Sequence, residues 1–109
     1  MKRRTVNVTP AARTVWTDAA PIEVLRAGRS LVIEDDRPFV LHFGLDGWQG
    51  VADTASVPFG SVHRVLLRRA DLKGSELNFT RYYPGDDRWE GADHVMRIGG
   101  GRQKSIGGG

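Results

Sequence analysis

Phe39-Val40-Leu41-His42-Phe43 decides the fold; the turn Asp35-Asp36-Arg37-Pro38 precedes it and Gly44-Leu45-Asp46-Gly47-Trp48-Gln49-Gly50 follows. Phe39, Leu41 and Phe43 alternate with Val40 and His42, the period of a strand with one buried face. The same short runs recur outward in both directions, punctuated by Gly, Pro and Asp. Thr14 to Thr17, Ile22 to Arg26 and Leu31 to Ile33 come before it. Residues 53–58, read as irregular or an edge strand, come after it, followed by Val62 to Leu67, Leu77 to Tyr83 and Asp93 to Ile98. Val62 to Ala70 is the one segment with a helical alternative, and its β-branched start between Gly60 and Gly74 favours a strand. The pattern predicts an all-β fold: a single β-sandwich of about seven strands with Ig-like proportions.

A chain of 109 residues has room for one domain. It contains no cysteine, so disulfides and thiolate metal sites are excluded. The net charge of +3 invites a reading as a nucleic-acid or membrane binder, but the charge is unevenly placed. Lys2, Arg3, Arg4, Arg13, Arg102 and Lys104 lie near the ends, and residues 14–98 hold ten basic against 13 acidic residues. The middle is mildly acidic, which argues against a phosphate-binding face and against single-strand binding by Arg64, Arg68, Arg69, Arg81 and Arg88. No apolar run approaches a membrane span. Met1-Lys2-Arg3-Arg4 has the charge of a signal-peptide start, yet Thr5 to Arg13 supplies no apolar stretch, so the default expectation is cytoplasmic. Residues 1–12 are expected to form a flexible basic arm, 13–98 the sandwich, and 99–109 a glycine-rich, disordered tail.

Two loops carry tryptophan among polar residues: Asp46-Gly47-Trp48 and Arg88-Trp89-Glu90-Gly91. If Phe39, Leu41 and Phe43 face the core, His42 faces outward between them. A sugar ring offers apolar C–H faces that stack on an aromatic ring, and hydroxyls that pair with Asp, Arg or His at its rim. The residues alone leave structural and ligand roles open for Trp48 and Trp89. Trp16, inside an early strand, reads as core, His63 and His94 as ordinary surface histidines, and Tyr82 and Tyr83 as one exposed and one buried.

Catalysis has little support. Glu34 with Asp35, Asp86 with Asp87, and Glu90 with Asp93 are acids in or near turns, where they serve as solvated turn formers. Nothing holds two carboxyls across a substrate in contrasting environments. No nucleophile-elbow, zincin or phosphate-loop motif is present. Glu90, Asp93 and His94 match no dedicated metal-site spacing, so neither metal nor other cofactor is expected.

The stretches Arg37 to Trp48 and Leu77 to His94, with their Asp46-Gly47-Trp48 and Arg88-Trp89-Glu90-Gly91 signatures, resemble the C-terminal accessory domain of bacterial glucoamylase-type enzymes (glycoside hydrolase family 15). The layout is also similar to family 25 starch-binding modules. The resemblance implies a non-catalytic α-glucan-binding β-sandwich. His42, Trp48 and Trp89 would be the principal contacts, and Asp46, Tyr82, Asp87 and Arg88 the rim. The chain departs from the family 25 pattern in carrying Glu90-Gly91-Ala92-Asp93 after the last tryptophan. The glucoamylase-type catalytic barrel with its two glutamates does not fit into this length, so no enzymatic activity is expected of the chain itself. The alternative within the same resemblance is a structural domain that docks on a glycoside hydrolase catalytic domain and has no sugar site.

Overall fold

The computed structural model describes residues 12–99. The expected arm and tail therefore lie outside the described residues, apart from Ala12 and Gly99. Both of these join the fold: the Ala12 carbonyl accepts from Ser30 N (2.9 Å), and Gly99 N donates to the Leu25 carbonyl (2.7 Å).

Ten strands follow one another: β1 (Arg13–Trp16), β2 (Val24–Leu25), β3 (Ser30–Asp35), β4 (Val40–Leu45), β5 (Gln49–Ala55), β6 (Val57–Phe59), β7 (Val62–Leu67), β8 (Glu76–Tyr83), β9 (Arg88–Trp89) and β10 (His94–Ile98). A 3-10 turn at Arg69–Asp71 links β7 to β8. A back sheet has the order β1-β3-β7-β6, and a front sheet the order β2-β10-β8-β4-β5 with β9 added to the far end of β8. The all-β sandwich expected from the sequence is the observed fold. Strands exceed the expected seven because the exposed β5 and the two- or three-residue β6 and β9 add to the runs read from the sequence.

The alternation in β4 sets the two faces of the front sheet. Leu41 and Phe39 are fully buried, and Phe43 packs partly against the core. In the register between β4 and β8, Leu41 lies opposite Arg81 and Phe43 opposite Phe79, so Leu77, Phe79, Arg81 and Tyr83 share the inward face. From the back sheet, Trp16, Leu31, Ile33, Val65 and Leu67 meet them. Each such fully buried side chain is worth roughly 1.5–3 kcal/mol. Gln49 and Gly50, read from sequence as loop, begin β5. That strand is exposed along its whole length, so no burial alternation marks it. At Ser56 the chain crosses from front sheet to back sheet. There Ser56 N donates to the Phe39 carbonyl (2.8 Å), and Phe39 N donates to Ser56 Oγ (2.9 Å).

One inward position is charged. Arg81 is 2% exposed and is held by three carboxylates from separate parts of the chain. Its guanidinium donates to both oxygens of Asp18 (2.8 and 3.1 Å), to Asp35 Oδ2 (2.9 Å) and to both oxygens of Glu90 (2.8 and 3.0 Å). Glu90 also accepts from Arg81 N (2.8 Å) and contacts His94 Nε2 (2.9 Å), while Tyr83 Oη donates to Asp35 (2.5 Å). His94, read as a surface residue, is instead stacked on Phe79 and set edge-on to Trp16.

Burial opposes ionisation of Glu90, but the hydrogen bonds from Arg81 and His94 outweigh it and hold its carboxyl below the ordinary value. The same balance, with hydrogen bonds from Tyr83 and the Arg37 backbone and the Arg81 charge, holds Asp35 low. Burial, then the Asp35 bond, pushes the Tyr83 phenol up to about 12, so it remains a donor.

Both carboxyls titrate lower in the folded chain than in the unfolded one. The stability they contribute is complete above the ordinary carboxylate range and is lost as pH falls through their lowered folded values. Arg81→Ala leaves two buried carboxylates without their cation and is expected to cost about 3–5 kcal/mol. In that variant burial dominates the carboxyls, so the acid-induced loss of stability shrinks or reverses. Urea denaturation of both proteins at neutral and mildly acid pH measures each effect.

Candidate functional site

The outer face of the front sheet carries the second set of alternating residues. His42 lies opposite Thr80 on β8 and opposite Asp53 on β5, while Tyr82 lies opposite Val40 and Trp89. Residues directly opposite in an antiparallel pair project to the same side. His42, Thr80, Tyr82, Asp53 and Trp89 therefore emerge on one face, drawn from four strands.

Trp48 reaches the same face from the β4–β5 turn. Asp46, Gly47 and Trp48 all have positive φ (49°, 81° and 68°), which curls the turn back over the sheet. A Cβ on Gly44 would stand 2.8 Å from Trp48 Cα, so the bare glycine is what lets the turn lie flat there. The buried Asn78 accepts from Gly47 N (2.8 Å) and Trp48 N (3.0 Å) through Oδ1, pinning the turn from beneath. Thr80 Oγ1 donates to the Ala92 carbonyl (2.7 Å), tying down the segment after β9.

The rings form a line. Trp48 stacks on His42 with centroids 5.6 Å apart and planes 30° from parallel. On the other side, Trp89 stands edge-on to His42 at 5.5 Å and 79°, and Tyr82 lies 5.2 Å beyond Trp89. Trp89 is 50% exposed, while Trp48 and Tyr82 are half-buried. His42 Nδ1 lies 2.6 Å from Asp53 Oδ1. A carboxylate only accepts, so this nitrogen carries the proton and Nε2 remains the ring's outward polar atom. Tyr82 Oη donates to Asp87, and this bond raises the phenol above its ordinary value. Asp87 adopts φ 49° at the tip of the β8–β9 turn, a conformation that aspartate tolerates.

His42, Trp48, Trp89, Tyr82 and Asp87 are thus brought together. Two residues expected at the rim are not. Asp46 spends its Oδ1 on Ser75 N (2.8 Å) and Glu76 N (3.0 Å), fastening the turn to the start of β8, and a Cβ on Gly74 would meet its carboxylate at 2.6 Å. Arg88 pairs with the inward-facing Tyr83, so its side chain leaves β9 on the side away from Trp89. Asp53 and Asn78 are the contributors that sequence reasoning missed. Asp53 is visible only through the β4–β5 register, whereas Asn78 is recognisable as an outward residue of β8 but not as a loop anchor.

The face is a shallow strip. Three concavities elsewhere are lined by other residues: about 280 Å³ beside Asp18, Glu34 and Asp36; about 140 Å³ beside Arg37 and Tyr83; and about 270 Å³ beside Val57, Phe59 and Leu66. Among the described residues no group of three or more His, Asp or Glu is arranged to hold a metal ion. No helix of the described residues is long and apolar enough to cross a membrane. Compared with known proteins, the chain matches no family model, no curated protein and no solved structure.

Gly44→Ala is expected to displace the Trp48 turn and cost about 1–3 kcal/mol, with loss of the near-ultraviolet dichroism of the stacked indole. Trp48 occupies a backbone conformation that suits glycine. Trp48→Gly is therefore expected to be more stable than Trp48→Ala by about 1 kcal/mol, a difference that paired thermal melts resolve.

Proposed function

We propose that the strip Trp48–His42–Trp89–Tyr82 is a non-catalytic carbohydrate platform for an α-glucan chain such as starch, glycogen or a maltooligosaccharide. The observation that carries this reading is the unbroken line of rings on one sheet face, bordered by His42 Nε2, Asp53 and Asp87. Trp48 and Trp89 present indole surface for the C–H faces of successive sugar rings. His42 and the carboxylates supply partners for their hydroxyls. The three ring-to-ring steps are nearly equal, which suits a repeating chain better than a single sugar. The resemblance of Arg88-Trp89-Glu90-Gly91 and Asp46-Gly47-Trp48 to accessory domains of glucoamylase-type enzymes supports the same ligand class. It also supports a place beside a glycoside hydrolase catalytic domain.

Isothermal titration with maltoheptaose tests the proposal. Binding is expected, with Trp89→Ala weakening it about tenfold or more and Trp48→Ala by a similar factor. No heat with any α-glucan, or unchanged affinity in the double variant, overturns it. The indoles of a domain that only docks on an enzyme would show acrylamide quenching insensitive to the sugar.

A further inference from the structure

The outer face of the back sheet lies on the other side of the sandwich from the aromatic strip, and it is unusually apolar. The registers place Val15 beside Val32, Val32 beside Leu66, and Phe59 beside Val62 on the outer side, although Val32 itself is buried. Val57 and Phe59 are each 60% exposed, Leu66 40% and Val15 38%, around a depression of about 270 Å³. Arg13 and Arg64 border the depression, Arg64 lying over the Phe59 ring, and exposed apolar side chains gathered on one face are the usual mark of an interaction site.

The charges on this face are segregated along the strand direction. At one end, where β1 starts and β7 ends, stand Arg13, Arg29 and Arg68, with Arg69 beside them turned toward the Gly99 carbonyl. Among the described residues none of these four has a carboxylate partner. At the other end a cavity of about 280 Å³ is lined by Glu34 and Asp36, with Asp18 and Asp35 turned toward Arg81 beside it. Among the described residues Glu34 pairs with Arg64 and both Asp18 and Asp35 with Arg81, while Asp36 has no cation partner. The order along the face is therefore basic, apolar, acidic.

We propose that this face binds a second copy of the same chain, forming a back-to-back dimer. A two-fold axis lying in the interface plane and running across the strands brings the basic end of each copy onto the acidic end of the other. The two apolar centres then meet between them. The pattern is self-complementary, as an isologous contact requires. Parallel alignment would instead set like charges together. The front sheets point away from each other in this assembly, leaving both aromatic strips open. The proposal does not depend on what those strips bind.

Sedimentation equilibrium of the full chain over a wide concentration range tests it. A monomer–dimer equilibrium is expected. Phe59→Ser and Leu66→Lys, both at exposed positions, are expected to raise the dimer dissociation constant about tenfold or more while circular dichroism stays that of the folded chain. Arg68→Glu and Asp36→Arg are each expected to weaken the dimer, and the two together to restore it, because the swap recreates the complementarity in reversed sense. A chain that stays monomeric at every concentration overturns the proposal, whether or not this face captures another protein. So does a dimer that the folded Phe59→Ser and Leu66→Lys variants leave intact.

Discussion

A guanidinium removed from water must be given back what the solvent supplied. In this fold that requirement falls on Arg81. Its donors are met by Asp18, which follows β1, by Asp35 at the end of β3, and by Glu90 just after β9. These three segments belong to both sheets and to the edge of β8. Hydrophobic burial brings the two sheets together without choosing one relative placement among several, whereas a cation with three directional partners does choose. Trp16 and Tyr83 stand around the guanidinium, at 5.0 and 5.8 Å from its carbon, and shield it further from solvent. The end of the sandwich is thereby closed by charge where the other positions of the core are closed by packing.

The outer strip inherits its order from this arrangement. Three of its four rings, His42, Tyr82 and Trp89, are held by sheet ladders, and the fourth, Trp48, by a turn that Gly44, Asn78 and Asp46 together press onto the sheet. These supports fix the backbone beneath each ring. Asp53 contributes in the same sense, since its bond to His42 fixes both the ring's tautomer and its tilt.

Much of this was legible in the sequence, and the reasons are specific. Phe39, Leu41 and Phe43 announced a one-sided strand, and His42 was placed outward by the same alternation. Trp48 and Trp89 stood out as aromatics among turn residues. What stayed hidden depends on long-range register or on competition for a side chain. Asp46 looked like a free carboxylate because nothing local shows that Ser75 and Glu76, about thirty residues later, claim it. Arg88 looked like a neighbour of Trp89, yet adjacency along a strand sends it to the opposite side. The burial of Arg81 could have been read from Leu77-Phe79-Arg81-Tyr83, where alternation already directs it inward. β5 escaped notice because a strand bare on both faces has no hydrophobic period to reveal it.

Trp89 and Glu90 are joined by one peptide bond and serve opposite sides of the sheet. The indole lies on the outer strip, while the carboxylate is anchored in the buried cluster with Arg81 and His94. The Glu90 carboxyl is 9% exposed and is tied to Arg81 and His94, so the anchor on the inner side also sets where the backbone carries the exposed ring. Presenting an aromatic surface and closing the charged end of the core are thus demands met by one short stretch of chain.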